Sequence, residues 1–147
     1  MDGIENCVSF LLGKAFQKVS RLSRDALAQY GVTPVQYATL SVLWERDGLS
    51  CSDLCTRLVL DSATMTGIVD RLETAGHIQR RPDPEGDRRI NRIYLTEQSR
   101  ALRQPLEDAM RDLNAQVSRM LGKRDALVRE ALRELAEVAG EEAAGRP

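Results

Sequence analysis

The sequence predicts a mainly α-helical fold with six helices and one small β-hairpin. Apolar residues recur every three or four positions over most of the chain, which is the spacing of amphipathic helices. Between residues 78 and 95 the spacing changes to every second position around a turn-rich segment, residues 82–87, which is typical of a hairpin. The 147 residues, 42% apolar and 29% charged, fit one globular domain.

The first two helices are separated by a short turn. The first is long and amphipathic and is predicted over residues 4–30, where a glycine ends it. Thr33 is a favoured N-cap residue, Pro34 fits the first helical position, and Gln36 completes a capping box. A second helix of about three turns is therefore predicted from this point.

Two shorter helices follow, with a tight turn between them. Ser50 is predicted to cap the third helix in a capping box with Asp53. Asp61 or Ser62 caps the fourth, which is predicted over residues 63–75 and ends at a glycine.

The hairpin joins the fourth helix to the fifth. Its strands begin at Ile78 and include Ile93, after which Thr96 is placed to cap a fifth helix; a sixth begins after Gly122. Two short helices followed by a hairpin make a winged helix-turn-helix, predicted over residues 31–96.

Residues 1–30 and 97–147 are predicted to form a helical dimerisation region, intertwined with the winged module in a single domain. Their helices carry long apolar stripes at the two ends of the chain, so they bury these stripes together or against a second subunit. In a chain this short a shared interface is favoured, and we expect a homodimer.

Positive charge is concentrated in the middle of the chain although the net charge is −1. From Arg57 to Arg103 there are nine arginines against seven acids, and a short stretch holds five of them: Arg80, Arg81, Arg88, Arg89 and Arg92. Arginine suits phosphate and groove contacts. The alternative is a solvated hairpin whose arginines pair with nearby acids.

Several function classes are excluded. No apolar stretch is long enough for a membrane span and no signal peptide is recognisable, so we expect a cytoplasmic protein without a membrane partner. No nucleophile with a base, carboxylate pair or phosphate-binding glycine loop is found, so neither an enzyme nor a cofactor is expected. Cys51 and Cys55 have a spacing that could suit a metal, but with His77 as the single histidine a closed zinc site is unsupported, and no metal is expected.

The hairpin segment DRRINRIYLT, residues 87–96, resembles the signature of the MarR (multiple-antibiotic-resistance regulator) family: Asp, any residue, Arg, five residues, then Leu-Thr. The order of elements, TPVQY at residues 33–37 and LDSATMTGIVDRLETAGHI at residues 60–78 resemble the same family. Ser99 stands where family members usually have glycine, which affects only the start of the fifth helix. The resemblance implies a dimeric transcription regulator that binds duplex DNA at an imperfect palindrome.

The resemblance also implies that residues 63–75 are the recognition helix in the major groove. Short hydroxyls near its N-terminus permit close approach to phosphate, and a glycine lets the backbone approach further. A salt bridge to a neighbouring acid is the alternative for Arg71. In the wing, Arg89 enters the minor groove and Asp87 stabilises the wing. The predicted DNA contacts are Ser62, Thr64, Thr66, Gly67, Arg71, Arg80, Arg88 and Arg89.

Many relatives bind small aromatic or phenolic effectors between the dimer helices and the DNA-binding lobe. Tyr37 matches an aromatic contact of some members, and Ser41 lies one turn further along. Phe16 could add an apolar wall, and Lys14 and Lys18 a cation, although each also fits ordinary core or solvated surface. The function predicted is a repressor, less often an activator, that such an effector releases from DNA.

Two alternatives stay open. Oxidation sensing is one, because one branch of the family has a reactive cysteine early in its first helix and Cys7 lies there, although an ungapped alignment puts Ser9 at the reactive position. Cys51 is a second redox candidate, because a helix N-terminus lowers a thiol pKa. The other alternative is a winged helix that binds only protein, which an arginine-rich wing argues against.

Overall fold

A computed structural model describes residues 3–84, 86–87 and 89–144, and the side chains through residue 137 apart from those gaps. Its described part confirms the mainly α fold with six helices and one wing. The helices are α1 Val8–Leu27, α2 Pro34–Glu45, α3 Cys51–Leu58, α4 Ser62–Thr74, α5 Glu97–Leu121 and α6 Asp125–Ala144. The strands are β1 Leu49–Ser50, β2 Ile78–Pro82 and β3 Asn91–Leu95, and short 3-10 turns lie at Ile4–Asn6, Ala28–Tyr30 and Gly122–Arg124.

The chain divides after Arg111 into two compact units. The first unit contains α1 to α4, the three strands and the beginning of α5; the second contains the rest of α5 and α6. A hydrophobic core fills the first unit, where each of the three central helices and the sheet supply fully buried side chains. These include Leu40, Leu43, Leu54, Met65, Ile68, Leu72, Ile78 and Ile93.

The predicted capping boxes at α2 and α3 are confirmed. The Gln36 backbone N–H donates to the Thr33 hydroxyl at 3.3 Å, and the Gln36 side chain accepts the Thr33 N–H at 2.9 Å. Ser50 and Asp53 make the same reciprocal pair at 3.1 and 2.9 Å. Each box satisfies two backbone donors that the first helical turn leaves without partners.

The first helix differs from its prediction. Cys7 has an extended backbone, so the 3-10 turn before it is separate from α1, and the last residues before Gly31 form another 3-10 turn. Ser23 and Leu27 are the described residues of α1 that are buried. The apolar side chains nearer its N-terminus, from Val8 to Val19, are exposed in the single chain.

The sheet contains a third strand that the sequence did not predict. Its order is β1-β3-β2, all antiparallel, and the register sets Arg80 opposite Ile93 and Arg81 opposite Arg92. Because side chains alternate across a strand, Arg80 lies on the core-facing side of the sheet, whereas Arg81 and Arg92 lie on the outer side.

The start of α5 is regular despite Ser99. The Ser99 N–H donates to the Thr96 hydroxyl at 3.3 Å, as predicted for a helix cap, and Ser99 itself is fully buried. No helix in the described ranges is long and apolar enough to cross a bilayer.

Candidate nucleic-acid interface

The N-terminus of α4 is capped by Asp61, which settles the choice between Asp61 and Ser62. The Asp61 carboxylate accepts the Thr64 backbone N–H at 2.8 Å and the Thr64 hydroxyl at 2.7 Å, and these two bonds lower the pKa of Asp61. The sequence-based expectation that this N–H and this hydroxyl are available to a phosphate is therefore corrected. For Thr64 to contact a DNA phosphate, its hydroxyl must leave the Asp61 carboxylate and donate to the phosphate oxygen instead.

The next turn of α4 also makes contacts within the helix. Thr66 donates its hydroxyl proton to the Ser62 carbonyl at 2.8 Å. A Cβ placed on Gly67 would meet the guanidinium nitrogens of Arg71 at 3.7 Å, so the space above this glycine is occupied by Arg71 rather than left open. The Ser62 side chain is exposed at the helix end.

Arg71 is exposed on α4 and makes no ion pair with any residue that the structure describes. Its neighbouring acids Asp70 and Glu73 are bound to another arginine. The alternative of a local salt bridge for Arg71 is therefore not what the described residues show, and its charge is available to an external anion.

Arg80 is the arginine that binds those acids. Its guanidinium lies 2.5 Å from an Asp70 carboxylate oxygen and also contacts the Glu73 carboxylate, which in addition accepts the Arg80 backbone N–H at 3.0 Å. The bonds from this N–H and guanidinium lower the pKa of Glu73. Arg80 thus ties β2 to α4, and its balanced charge disfavours the predicted phosphate contact.

The wing tip is shaped by Asp87. One of its carboxylate oxygens accepts the Arg89 backbone N–H at 3.0 Å, and its carbonyl accepts the Ile90 N–H at 2.8 Å. This geometry fits the predicted role of Asp87 in holding the wing. The Arg89 side chain is exposed and has no ion pair with a described residue. Arg88, another predicted contact, lies outside the described residues.

The structure adds an arginine that the site prediction omitted. Arg81 lies exposed on the outer side of the sheet, with its guanidinium 4.9 Å from the centre of the Tyr94 ring. Tyr94 in turn packs against Gly48, where φ is +75° and an added Cβ would lie 2.9 Å from the ring. The stacking restricts the Arg81 side chain, and its charge has no acidic partner among the residues that the structure describes. The sequence holds one sign of this stacking: Tyr94 comes two positions after Arg92 and therefore lies on the same side of the strand.

Arg92 behaves differently although it lies directly across from Arg81. Its Nε is 3.1 Å from an Asp83 carboxylate oxygen, and it donates to the Gly48 carbonyl at 3.1 Å. We call Arg71, Arg81 and Arg89 the free arginines, and Arg80 and Arg92 the bound arginines.

A second group of polar atoms lies on α2. Tyr37 and Trp44 make an edge-to-face contact with ring centres 6.1 Å apart. The Ser41 hydroxyl and the Trp44 indole N–H are buried and have no hydrogen-bond partner in the described part of the chain. Thr39, by contrast, donates its hydroxyl to the Val35 carbonyl at 2.9 Å. Tyr37 and Ser41 were predicted effector contacts, and Trp44 was missed.

The three other predicted effector residues lie on α1. Lys14 and Lys18 line a shallow depression of about 230 Å³ together with Gln17 and Arg21. Phe16 is 73% exposed and does not serve as a buried wall within one chain. The described contacts do not join these residues to the α2 group.

The two redox candidates differ in their surroundings. The Cys7 Sγ is 3.1 Å from the Ser9 hydroxyl, and this bond lowers the Cys7 pKa. Burial raises the pKa of Cys51, and the raising effects exceed the opposite effect of Arg80, so the expectation of a lowered pKa at this helix N-terminus is wrong. No group of three or more metal-ligating side chains is found among the described residues.

The helix α4, the free arginines and the wing define a winged helix-turn-helix of the DNA-binding class. A family model described as "MarR family" matches residues 32–90. The transcriptional regulator TtmR of Methylorubrum extorquens is 33% identical over 127 residues, which are 86% of this chain and 65% of that protein, so the chain spans less than two thirds of this relative. The transcriptional repressor NicR of Pseudomonas putida is 35% identical over 116 residues, 74% of this chain and 73% of the relative.

A solved structure of CouR from Rhodococcus jostii, bound to p-coumaroyl-CoA, superposes with a TM-score of 0.75 at 27% identity and covers 95% of this chain and 96% of that one. The chain belongs to the MarR family of transcriptional regulators. Its relatives are regulators rather than enzymes.

Proposed function

We propose that this chain is a cytoplasmic, ligand-responsive repressor that binds a palindromic duplex operator as a homodimer and is released by a small aromatic or phenolic effector. One observation supports DNA binding above others: the free arginines are exposed on the unit that holds the helix-turn-helix and pair with no described acid, while the bound arginines beside them are neutralised. Only unpaired cations can replace the counterions of a DNA phosphate without losing a protein contact.

In the proposed complex α4 enters the major groove and the wing enters the minor groove. Arg71 and the hydroxyls at the start of α4 face base edges and phosphates. Arg89 is inserted at the minor groove, whose narrow form attracts guanidinium. Arg81 contacts a phosphate. The hydroxyl contacts proposed are Ser62, Thr64 and Thr66.

The homodimer is proposed from apolar side chains that each unit leaves exposed. Such side chains on α1 and, separately, on α6 are too large and numerous to be ordinary surface residues. They are Val8, Leu11, Phe16 and Val19 on α1, and Leu127, Leu132 and Leu135 on α6. A second copy is the proposed occupant, in agreement with the assignment of residues 1–30 and 97–147 to dimerisation. Twofold symmetry then makes the operator palindromic.

Effector binding is proposed at the α2 group. A buried polar atom without a partner costs roughly 1–3 kcal/mol, so the Ser41 hydroxyl and the Trp44 N–H favour a ligand that bonds to both. Tyr37 supplies an aromatic edge for a ring. CouR was solved with a phenolic acyl thioester, and NicR is named a repressor, which supports these choices of effector and sign.

The test is a fluorescence-anisotropy titration of duplex DNA from upstream of the protein's own gene, with excess non-specific competitor. We expect competitor-resistant binding with two chains per duplex, and release by hydroxybenzoates or hydroxycinnamates. Binding no tighter than to random DNA, at that duplex and at duplexes selected from a random library, contradicts operator recognition. Release that survives the Trp44→Phe substitution contradicts the effector site.

Cys7 favours a second function, oxidation sensing. Its thiol has a lowered pKa, which increases the thiolate fraction that reacts with peroxide. Loss of DNA binding after peroxide treatment, absent in Cys7→Ser and present in Cys51→Ser, would establish it. Equal loss in both variants would exclude Cys7 as the sensor.

A further inference from the structure

Two cysteines lie one helical turn apart on α3 and have no role in the proposed DNA contacts. Cys51 is the first residue of the helix, Cys55 follows four positions later, and both are half-buried against the core of the first unit. Residues at this spacing lie on the same face of a helix, with Cβ atoms about 5–6 Å apart. The two side chains therefore project from one face of α3.

The electrostatics agree with this geometry. Negative charge on Cys55 contributes to the raised pKa of Cys51, which agrees with two side chains one helical turn apart. Arg80 and Asp70 act on the same thiol, so the pair also lies close to the link between β2 and α4. The third cysteine, Cys7, lies at the start of α1 and provides a matched control.

The donor set limits what the pair can bind. A structural zinc ion needs four ligands, and no group of three or more His, Cys, Asp or Glu side chains is present in the described ranges. Two thiols on one helix face are sufficient for a thiophilic atom that needs only two sulfur ligands because its third bond is to carbon. Trivalent arsenic with a single organic group has this requirement.

We propose that Cys51 and Cys55 form a dithiol site for monosubstituted trivalent arsenicals, and that loading this site weakens DNA binding. The second half of the proposal rests on the proposed function. The first half concerns the chain alone and requires no DNA.

The reaction balances without an oxidant. An arsenoxide, R–As=O, reacts with the two thiols; two As–S bonds form, both S–H bonds break, and the two protons leave with the oxygen as one water molecule. Arsenic stays trivalent and neither sulfur is oxidised. A raised thiol pKa does not prevent this exchange because the departing oxygen takes up the protons.

The effect on DNA binding follows from packing. An aryl-arsenic group is much larger than two thiol hydrogens, and it must be accommodated beside the core to which α3 and α4 both contribute. Overpacking a close-packed region shifts its backbone, and a shift of α4 relative to β2 separates Arg71 from the wing. We expect operator affinity to fall about tenfold.

The experiment uses reduced, desalted full-length protein and phenylarsine oxide, followed by a wash with excess glutathione and intact-mass measurement. A two-sulfur complex resists a monothiol because loss of one As–S bond leaves the other in place to promote its re-formation. We expect one phenylarsenic group per chain in the natural sequence and in Cys7→Ser, and none after the wash in Cys51→Ser or Cys55→Ser. The same samples are then titrated with operator DNA.

Each outcome is informative. Wash-resistant uptake by Cys51→Ser or Cys55→Ser, or no uptake by the natural sequence, overturns the site. Normal uptake with unchanged operator affinity overturns the coupling. If the unloaded protein fails to bind any operator, the proposed function is wrong, while the mass measurement still decides the site. Circular dichroism of both serine variants shows whether lost uptake reflects unfolding.

Discussion

The free and the bound arginines occupy neighbouring positions yet differ in the state of their charge. Arg81 and Arg92 face each other across two strands, but the first stacks on Tyr94 and the second is held by Asp83. Arg71 is close in sequence to Asp70 and Glu73, but among the described residues these two acids pair with Arg80. One cluster of arginines therefore contains both scaffold and binding surface, and pairing within the fold distinguishes the two.

The largest effect is expected at the wing tip. Arg89→Ala should lower operator affinity about tenfold or more, because loss of a groove arginine typically costs about 1–3 kcal/mol. Anisotropy titration measures the affinity, and urea unfolding should show an unchanged free energy of unfolding. If the variant loses as much free energy of unfolding as free energy of DNA binding, Arg89 stabilises the fold and is not one of the free arginines.

The opposite pattern is expected for Arg80→Ala. Removal of the link leaves Asp70 and Glu73 without their cation, and the free energy of unfolding should fall by about 1 kcal/mol. Urea denaturation checks this value, with Arg57→Ala as a control because Arg57 forms a more exposed pair, with Glu45. A stability equal to that of the control would show that Arg80 is not part of the scaffold.

Arg81→Ala tests an arginine that is absent from the predicted DNA contacts. It should weaken operator binding about threefold and reduce the slope of log affinity against log salt by about two, because a dimer loses two phosphate contacts. Arg81→Lys should restore the slope but not the stacking on Tyr94. An unaltered slope in Arg81→Ala would mean that this arginine does not contact a phosphate.

Acid should lower the stability of the fold through His77 and not through the arginines, because arginines keep their charge across this pH range while a histidine gains one. His77 is buried and burial lowers its pKa, so below about pH 6.5 the unfolded chain binds a proton that the folded chain does not. Stability should therefore decline from pH 7 to pH 5, and His77→Gln should decline less. Parallel pH profiles for both proteins would contradict this assignment.

The smallest effect is expected at the turn between α3 and α4. Val59 has φ +54°, a strained conformation for a β-branched residue, and it is 88% exposed. Val59→Asn should raise the free energy of unfolding by up to about 1 kcal/mol, without changing DNA affinity. Thermal unfolding provides the check, and a lower melting temperature would show that the valine side chain has a contact to lose.

Local signals in the sequence predicted most of the fold. Each capping box, at Thr33 and at Ser50, joins two residues three positions apart, so the sequence alone shows both partners. The strand at Leu49 could not be recognised in the sequence, because it has only two residues and its partner Ile93 lies far along the chain. Cys7 interrupts the first helix without any helix-breaking residue.

The site was predictable in part for the same reason. Asp87 and Arg89 belong to one short motif, whereas the partners of Arg80 lie seven and ten residues earlier on another element. At Cys51 the sequence shows the helix N-terminus but not the burial that outweighs it. Trp44 lies on α2, and only the structure shows that its indole N–H is buried without a hydrogen-bond partner in the described part of the chain.

The division of the arginines is tested most directly by the salt dependence of operator binding in two multiple variants. One replaces Arg71, Arg81 and Arg89 with alanine, and the other replaces Arg80 and Arg92. The first should reduce the slope of log affinity against log salt by about five for a dimer, at unchanged stability. The second should retain the slope and unfold at lower urea concentration. A retained slope in the first variant, or an equal reduction of the slope in both, would contradict the division into free and bound arginines.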